Sequence, residues 1–197
     1  MYIVITRTFP PEVGGMQNLM WGLSNELSKH HMIKVFAEYH DNHKNFDNDC
    51  SFSIERVGGI KIFRKYRKAN LINEFIKENK IEGVIADHWK SLELIKTTKK
   101  KICLIHSKEI NHPVETNLNK RLLGVLNNVD HVISNSLYTK ELAISCGVNE
   151  KKIIIINPGV NPIKKLDKQT LKKSEELLKN KYPRLITVSR YDKRKNH

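Results

Sequence analysis

Short apolar runs that alternate with helical patterns are the feature that most restricts the fold of this chain. Most of these runs are short enough to form buried strands. We predict strands at residues 1–6, 33–39, 53–64 (one strand or two), 83–87, 101–106, 131–135 and 152–157. The segments between the runs carry apolar residues three and four positions apart, which is the spacing of a helix face.

Helices are therefore predicted between the strands. The first one, over residues 16–30, has its apolar residues on one face: Met16, Leu19, Met20, Leu23 and Leu27. The others are predicted at residues 67–79, 89–97, 116–127 and 137–146, with Ser136 as the N-cap and Gly147 as the stop of the last one. Strands that alternate with helices pair in parallel, because a tight turn cannot join parallel neighbours. The sequence thus predicts an open α/β sheet.

The alternation breaks at residues 157–165, NPGVNPIKK, where two prolines and a glycine interrupt it. We therefore predict one domain over residues 1–163. A linker follows over residues 164–183, with a Lys-rich helix at 167–180. Another strand begins within residues 184–197, which are too few for a domain. This strand either adds to the first sheet or opens a second domain.

The charge balance is strongly basic, with 35 Lys and Arg against 21 Asp and Glu and a formal net charge of +14. The densest stretches are KIFRKYRK (61–68) and KTTKKK (96–101). Such a field favours anionic partners: phosphorylated ligands, anionic lipid head groups or nucleic acid. The alternative is an ordinary surface of solvated lysines. The sequence contains no RNA-recognition signature or zinc-finger spacing, which argues against nucleic acid.

The N-terminus and the cysteines indicate a cytoplasmic protein. No apolar run approaches the roughly 20 residues of a membrane-spanning helix, and Met1 leads into YIVITRTF without the charged start of a secretory signal. The three cysteines are odd in number and widely spaced, which fits neither a disulfide framework nor a metal-binding or redox motif. We expect reduced, structural thiols.

A glycine pair precedes the first predicted helix, in FPPEVGGMQNLMWGLSNELSKHH (9–31). Ligands of open α/β sheets bind at the carboxyl ends of the strands, and the first strand-to-helix loop is a usual place. Gly14 and Gly15 would permit positive φ and let a phosphate or sugar approach backbone N–H groups at the helix N-terminus. A structural turn is the alternative.

Two histidines follow predicted strands and are candidate site residues. His106 ends the strand that precedes SKEINHP, and it has either a site role or a role in capping or the core. His88 lies in ADHWKS, where we weigh acceptor contact against packing on Trp89. The polar stretch YHDNHKNFDNDC (39–50) has irregular spacing, and we interpret it as a solvated loop rather than a metal site.

Four segments of the chain resemble the N-terminal half of a family 4 glycosyltransferase of the GT-B fold. They match the family's Pro-x-x-Gly-Gly loop and first helix, its strand ending in His, its strand with a Ser-led helix and Asn-Gly-Val-Asp turn, and the opening strand of its second domain. These segments are residues 9–31, CLIHS (103–107), VDHVISNSLYTKELAISCGVNEKKIIIINPGVN (129–161) and LITVSRYDKRKNH (185–197).

The resemblance implies two Rossmann-like domains that face a cleft, each an open, mostly parallel sheet with helices on both faces. The first domain would hold the acceptor and the second the nucleotide-sugar donor, with retention of anomeric configuration and no metal or other cofactor. Gly14 and Gly15 would line the cleft, and His106 would project into it. Arg190 and Lys195 would neutralise the donor pyrophosphate, which gains charge as it leaves.

The chain departs from the family pattern in three ways. NPGVN replaces the usual order of the turn, Ser189 and Asn196 stand where glycines are common, and the acidic pair of the second domain does not occur before His197. We therefore expect a catalytically incomplete chain. The expected function is sugar transfer from a nucleotide-sugar to a cell-envelope glycan or lipid-linked acceptor, with residues 61–68 contacting anionic membrane. The alternative is a non-catalytic α/β module that binds a phosphorylated ligand or a protein.

Overall fold

The computed structural model describes residues 1–160, 165–185 and 187. Its first unit, Met1–Asn161, is a parallel sheet flanked by helices. The strands found among these residues are β1 (Tyr2–Ile5), β2 (Ile33–Glu38), β3 (Ser53–Val57), β4 (Gly83–Ala86), β5 (Lys100–Ile105), β6 (His131–Ser134) and β7 (Ile153–Ile155). The helices of this unit are α1 (Gly15–Ser28), α2 (His43–Asn48), α3 (Lys61–Glu78), α4 (Trp89–Leu92), α5 (Ser107–Ile110), α6 (Asn117–Leu126) and α7 (Leu137–Ser145).

The sheet has the order β3-β2-β1-β4-β5-β6-β7, and every pair of neighbours is parallel. β1 lies inside it: Val4 is in register with Val35 of β2 on one side and with Ile85 of β4 on the other. A continuous apolar run suits such a strand, because both of its faces are covered. The predicted open, Rossmann-like α/β sheet is confirmed.

Two apolar clusters cover the two faces of the sheet. Side chains alternate along a strand, so Ile3 and Ile5 of β1 join one cluster while Val4 joins the other. The first cluster packs under α3 to α7 and contains Trp89. The second packs under α1 and α2. Helices thus lie on both faces, as the resemblance implied.

The strand prediction for residues 53–64 is wrong in its second half. β3 ends at Val57, and α3 begins at Lys61 after a turn in which Gly59 has a φ of +90°. The Arg64 guanidinium donates to the Gly59 carbonyl at 3.0 Å, which ties the first helical turn back to this loop. The alternation of apolar and basic residues in this stretch therefore reflects an exposed helical turn and not a strand.

The polar stretch at residues 39–50 is also not a simple solvated loop, because it contains α2. Asp47 of this helix accepts hydrogen bonds from Arg56, whose side chain is only 4% exposed, at 2.6 and 3.0 Å. The His43 imidazole lies 2.8 Å from the same carboxylate. A buried arginine requires such a partner, and this pairing orders the segment.

Several local predictions are confirmed. The Ser136 hydroxyl caps α7 by accepting from the Thr139 N–H at 3.2 Å, and Gly147 follows that helix with a φ of +98°. Cys103 and Cys146 are buried free thiols. Burial raises the pKa of Cys103 well above its usual value.

The second unit, Pro162–His197, contains one helix among its described residues, α8 (Lys168–Leu178). Asp167 caps it by accepting from the Thr170 N–H at 2.9 Å. The strand predicted within residues 184–197 falls almost entirely outside the described residues. Across the described ranges, no helix is both long and apolar enough to cross a membrane.

Candidate functional site

The order of the sheet reverses at β1, which has β2 on one side and β4 on the other. The loops that follow β1 and β4 therefore diverge to opposite faces and leave a crevice at the carboxyl edge of the sheet. His88 follows β4, and His106 follows β5 at the same edge. The glycine pair follows β1. The structure thus places the predicted site residues of the first unit at the same edge of the sheet.

Asp87 joins the ends of β1 and β4 at this crevice. The Thr6 hydroxyl and the Arg7 backbone N–H donate to one of its carboxylate oxygens at 2.8 and 2.9 Å. The Ser91 hydroxyl donates to the other oxygen at 3.2 Å. Asp87 is 4% exposed, so these bonds replace the water that the carboxylate has lost. Its role is to fix the two loops in position.

Lys68 reaches the same place from α3. Its buried ammonium donates to the Thr6 carbonyl at the end of β1. Burial lowers the pKa of Lys68 to about 8, against the nearby charges of Asp87 and Glu38, which raise it. The group therefore stays mostly protonated at neutral pH and keeps a positive charge beside the crevice.

Glu109 and His88 form a largely buried pair at the crevice. The Glu109 carboxyl accepts from the His106 backbone N–H at 3.1 Å, and its other oxygen lies 3.7 Å from Nε2 of His88. Burial raises the pKa of Glu109 to about 8. Burial, helped by the charges of Arg7 and Lys90, lowers the pKa of His88 to about 3. Both groups are therefore neutral between these two pH values.

The tautomer of His88 follows from its hydrogen bonds. Nδ1 accepts from the Lys90 backbone N–H at 3.0 Å, so the proton of the neutral ring is on Nε2. The ring also tilts against Trp89, with centroids 5.7 Å apart. Both interpretations of His88 from the sequence are thus compatible with its position: it packs on Trp89 and lies at the crevice.

His106 has an unused ring nitrogen. Its Nδ1 lies 3.4 Å from the Asn135 amide nitrogen, while its Nε2 is buried without a hydrogen-bond partner in the described part of the chain. Burial lowers its pKa, so the ring is neutral at pH 7. A buried polar atom with no partner is costly and suits a ligand group. His106 is therefore suited to bind a hydroxyl.

The glycine pair contributes space and not positive φ. Gly14 is extended, with a φ of 171°, and a Cβ there would lie 2.3 Å from the side-chain oxygen of buried Gln17. A Cβ on Gly15 would have no atom within 4 Å. Among the described residues no side chain caps the N-terminus of α1, so its first N–H groups have no side-chain acceptor there. The expectation of positive φ at this glycine pair is therefore wrong.

Five residues of the crevice were not singled out from the sequence: Arg7, Lys68, Asp87, Lys90 and Glu109. Asp87 and Arg7 carry the signal that identified His88, since each is a polar residue just after an apolar strand. Lys68 and Glu109 lie inside helices and gave no comparable signal. Arg190 and Lys195 lie outside the described residues, and their roles stay predictions.

Comparisons with known proteins agree with the fold. HepE of Anabaena in complex with UDP-glucose has a TM-score of 0.69 at 14% identity over 90% of this chain and 50% of that one. Sucrose-phosphate synthase of Thermosynechococcus elongatus has a TM-score of 0.64 at 14% identity, over 81% of this chain and 48% of that one. The lipopolysaccharide outer core galactosyltransferase WaaB has a TM-score of 0.56 at 11% identity, over 81% of this chain and 46% of that one. The chain spans about half the length of these structures.

The sequence comparison identifies the family. No curated protein sequence matches the chain significantly. The family model of Glycosyltransferase Family 4, however, matches residues 13–164, which run from the loop before α1 to beyond β7. This confirms the resemblance to the N-terminal half of a GT-B fold. The chain belongs to Glycosyltransferase Family 4.

Proposed function

We propose that this chain is the acceptor side of a glycosyltransferase that uses a nucleotide-sugar donor. The observation that carries the proposal is that the family match includes six of the seven strands, β2 to β7, together with the glycine pair, His88 and His106 at the crevice. HepE, which shares the fold, binds UDP-glucose. Retention of anomeric configuration and the absence of a metal requirement are proposed from the family resemblance.

In the proposed reaction, the acceptor oxygen bonds to the anomeric carbon as the bond from that carbon to the donor phosphate breaks. The acceptor proton passes to the departing phosphate oxygen. His106 and His88 are both neutral near pH 7, so they act by hydrogen bonding to sugar hydroxyls and not as charged groups. The open space at Gly15 lets the donor phosphates approach the N-terminus of α1.

The proposal predicts a transfer reaction that depends on His106. The product of the full-length gene should release nucleoside diphosphate from a nucleotide-sugar when an acceptor is present. His106→Ala should lower kcat/KM about 100-fold, because it removes a polar group that contacts the reacting sugar. Coupled nucleotide release measures this. His30→Ala, at an exposed histidine beyond α1, is the control.

Two outcomes would contradict this proposal. If the full-length product turns over no nucleotide-sugar, with or without acceptors, the non-catalytic module becomes the better account. If His106→Ala and His30→Ala have equal activity, His106 has no role in the site.

We further propose a cell-envelope acceptor and peripheral contact with the cytoplasmic membrane face. α3 begins where β3 ends, so its first turns lie at the same edge as the crevice. Four large apolar side chains there are 57 to 77% exposed: Ile60, Ile62, Phe63 and Tyr66. Basic residues surround them, and apolar side chains within a basic stretch suit an anionic bilayer surface. WaaB, a lipopolysaccharide galactosyltransferase by its description, shares the fold.

Vesicle binding tests the membrane contact. The chain should co-sediment with vesicles that contain phosphatidylglycerol in preference to pure phosphatidylcholine. Changing Phe63 and Tyr66 together to serine should weaken the partition at least about tenfold, because two aromatic rings no longer enter the interface. Met32→Ser is the control, since Met32 is 70% exposed at the opposite edge of the sheet. Equal partition of both variants, or no preference for anionic lipid, would count against membrane contact.

A further inference from the structure

The crevice carries more positive charge than its acids neutralise. Arg7, Lys68 and Lys90 belong to it. Among the described residues, the side chains of Arg7 and Lys90 make neither a hydrogen bond nor an ion pair. The charge of Arg7 acts on its neighbours, since after burial it is the next cause that lowers the pKa of both His88 and Lys90. The Arg7 backbone N–H and the Ser91 hydroxyl both donate to Asp87, which holds Arg7 beside the helix that carries Lys90, and neither cationic side chain has an anionic partner among the described residues.

The acids nearby do not balance this charge. Asp87 already accepts three hydrogen bonds, from Thr6, Arg7 and Ser91. Its negative charge attracts the nearby cations, but both of its oxygens already have donors. Glu109 is neutral at pH 7. Glu93, which raises the pKa of Lys90, is engaged by Lys65 and by Arg121, the latter at 2.6 and 2.9 Å. Like charges held together in this way repel each other, and an anion between them relieves the repulsion.

The position of the cations indicates what they bind. Arg7 is the second residue after the end of β1, and Lys90 is in the first turn of α4 after β4, so both flank the crevice. His106 follows the neighbouring strand β5 and has its unpartnered Nε2 at the same edge. The guanidinium of Arg7 is exposed, and the ammonium of Lys90 lies 5.2 Å from the Trp89 ring, which supports it.

We infer that the acceptor carries an anionic group, a phosphate or a carboxylate, which Arg7 and Lys90 bind beside the sugar hydroxyls. This rests on the proposed function and defines the substrate class of that same site. An arginine fork matches two oxygens of such a group, and an ammonium supplies a point charge. The anion belongs either to a soluble sugar acid or sugar phosphate or to a lipid head group.

Binding to the chain itself tests the inference without a donor. Titration calorimetry should detect glucose 6-phosphate and inorganic phosphate but not glucose, with affinity that falls as salt is added. Arg7→Gln and Lys90→Gln should each weaken phosphate binding about tenfold, the effect of one charge-assisted hydrogen bond. Lys80→Gln removes the same charge from an exposed lysine at the opposite edge and should change nothing. Thermal denaturation checks that the variants fold.

Vesicles of phosphatidylcholine with phosphatidic acid separate the two sources of the anion. The anion is a lipid head group if two results are obtained together. Arg7→Gln must bind neither these vesicles nor glucose 6-phosphate, and glucose 6-phosphate must displace the wild-type chain from the vesicles. If only glucose 6-phosphate binding is lost, the acceptor is soluble. The inference is overturned if neither phosphate compound binds, if glucose binds equally well, or if Arg7→Gln and Lys80→Gln behave alike. Transfer to neutral acceptors by the full-length product would overturn it and leave the proposed function standing.

Discussion

Replacing Trp89 with alanine should lower the free energy of unfolding by about 3 to 5 kcal/mol. The side chain is fully buried in the larger apolar cluster, and its Nε1–H donates to the Glu109 carbonyl at 3.1 Å. Alanine would leave a cavity beneath α4 and a carbonyl without its donor. Urea denaturation followed by circular dichroism measures the change.

Two further variants separate the causes. Trp89→Phe keeps most of the volume and loses only the indole hydrogen bond, so it should cost about 1 to 2 kcal/mol. Trp21→Ala removes an indole that is only half-buried in the smaller cluster and should cost less than Trp89→Ala. Equal losses for the two alanine variants would show that Trp89 is not a main support of the fold.

Glu109→Gln should stabilise the protein at high pH and have little effect at low pH. The folded protein holds the Glu109 proton up to about pH 8, whereas the unfolded chain releases it near its usual pKa of 4.5. Folding therefore takes up a proton between these values, and the wild type loses stability as pH rises through them. Glutamine has no proton to lose. The advantage of the variant should grow by about 1.4 kcal/mol per pH unit and reach about 3 to 5 kcal/mol.

His88→Gln should give the opposite dependence. The folded pKa of His88 lies near 3 and the unfolded one near 6.5, so stability present above pH 6.5 is lost as pH falls towards 3. The variant lacks this loss. Urea titrations at several pH values measure both differences, with Glu141→Gln as a control at an exposed glutamate of α7. A Glu109→Gln difference that is constant from pH 4.5 to 8 would mean that Glu109 is ionised throughout.

The sequence predicted the sheet well because its central strands, β1, β2 and β4, are largely buried. Parallel strands covered on both faces are continuous apolar runs, and such runs at residues 2–5 and 83–86 differ clearly from their neighbours in sequence. The strand prediction failed where apolar side chains are exposed to solvent and not buried. Ile60, Ile62 and Phe63 look like part of a strand, yet they lie at the N-cap and in the exposed first turn of α3. The helix α5 has four residues, too few to produce a periodic pattern.

Only those residues of the candidate site that follow an apolar run could be predicted from the sequence. His88, His106 and the glycine pair each follow an apolar run, so their neighbours in sequence identify them. Lys68 reaches Thr6 across 62 residues, and no local pattern encodes that contact. The raised pKa of Glu109 likewise arises from burial by the fold and not from its sequence neighbours.

The central position of β1 has a consequence for how the protein is made. β1 is synthesised first, but one of its two neighbours, β4, comes much later, and the Thr6–Asp87 bond that joins them spans 81 residues. At ribosomal rates of about 5 to 20 residues per second, β1 waits on the order of ten seconds with an apolar edge unpaired. Its early half-sheet with β2 and β3 is therefore the stage at which a nascent chain most needs protection from aggregation. The crevice between β1 and β4 forms only when the two halves of the sheet join, so ligand binding reports completed folding.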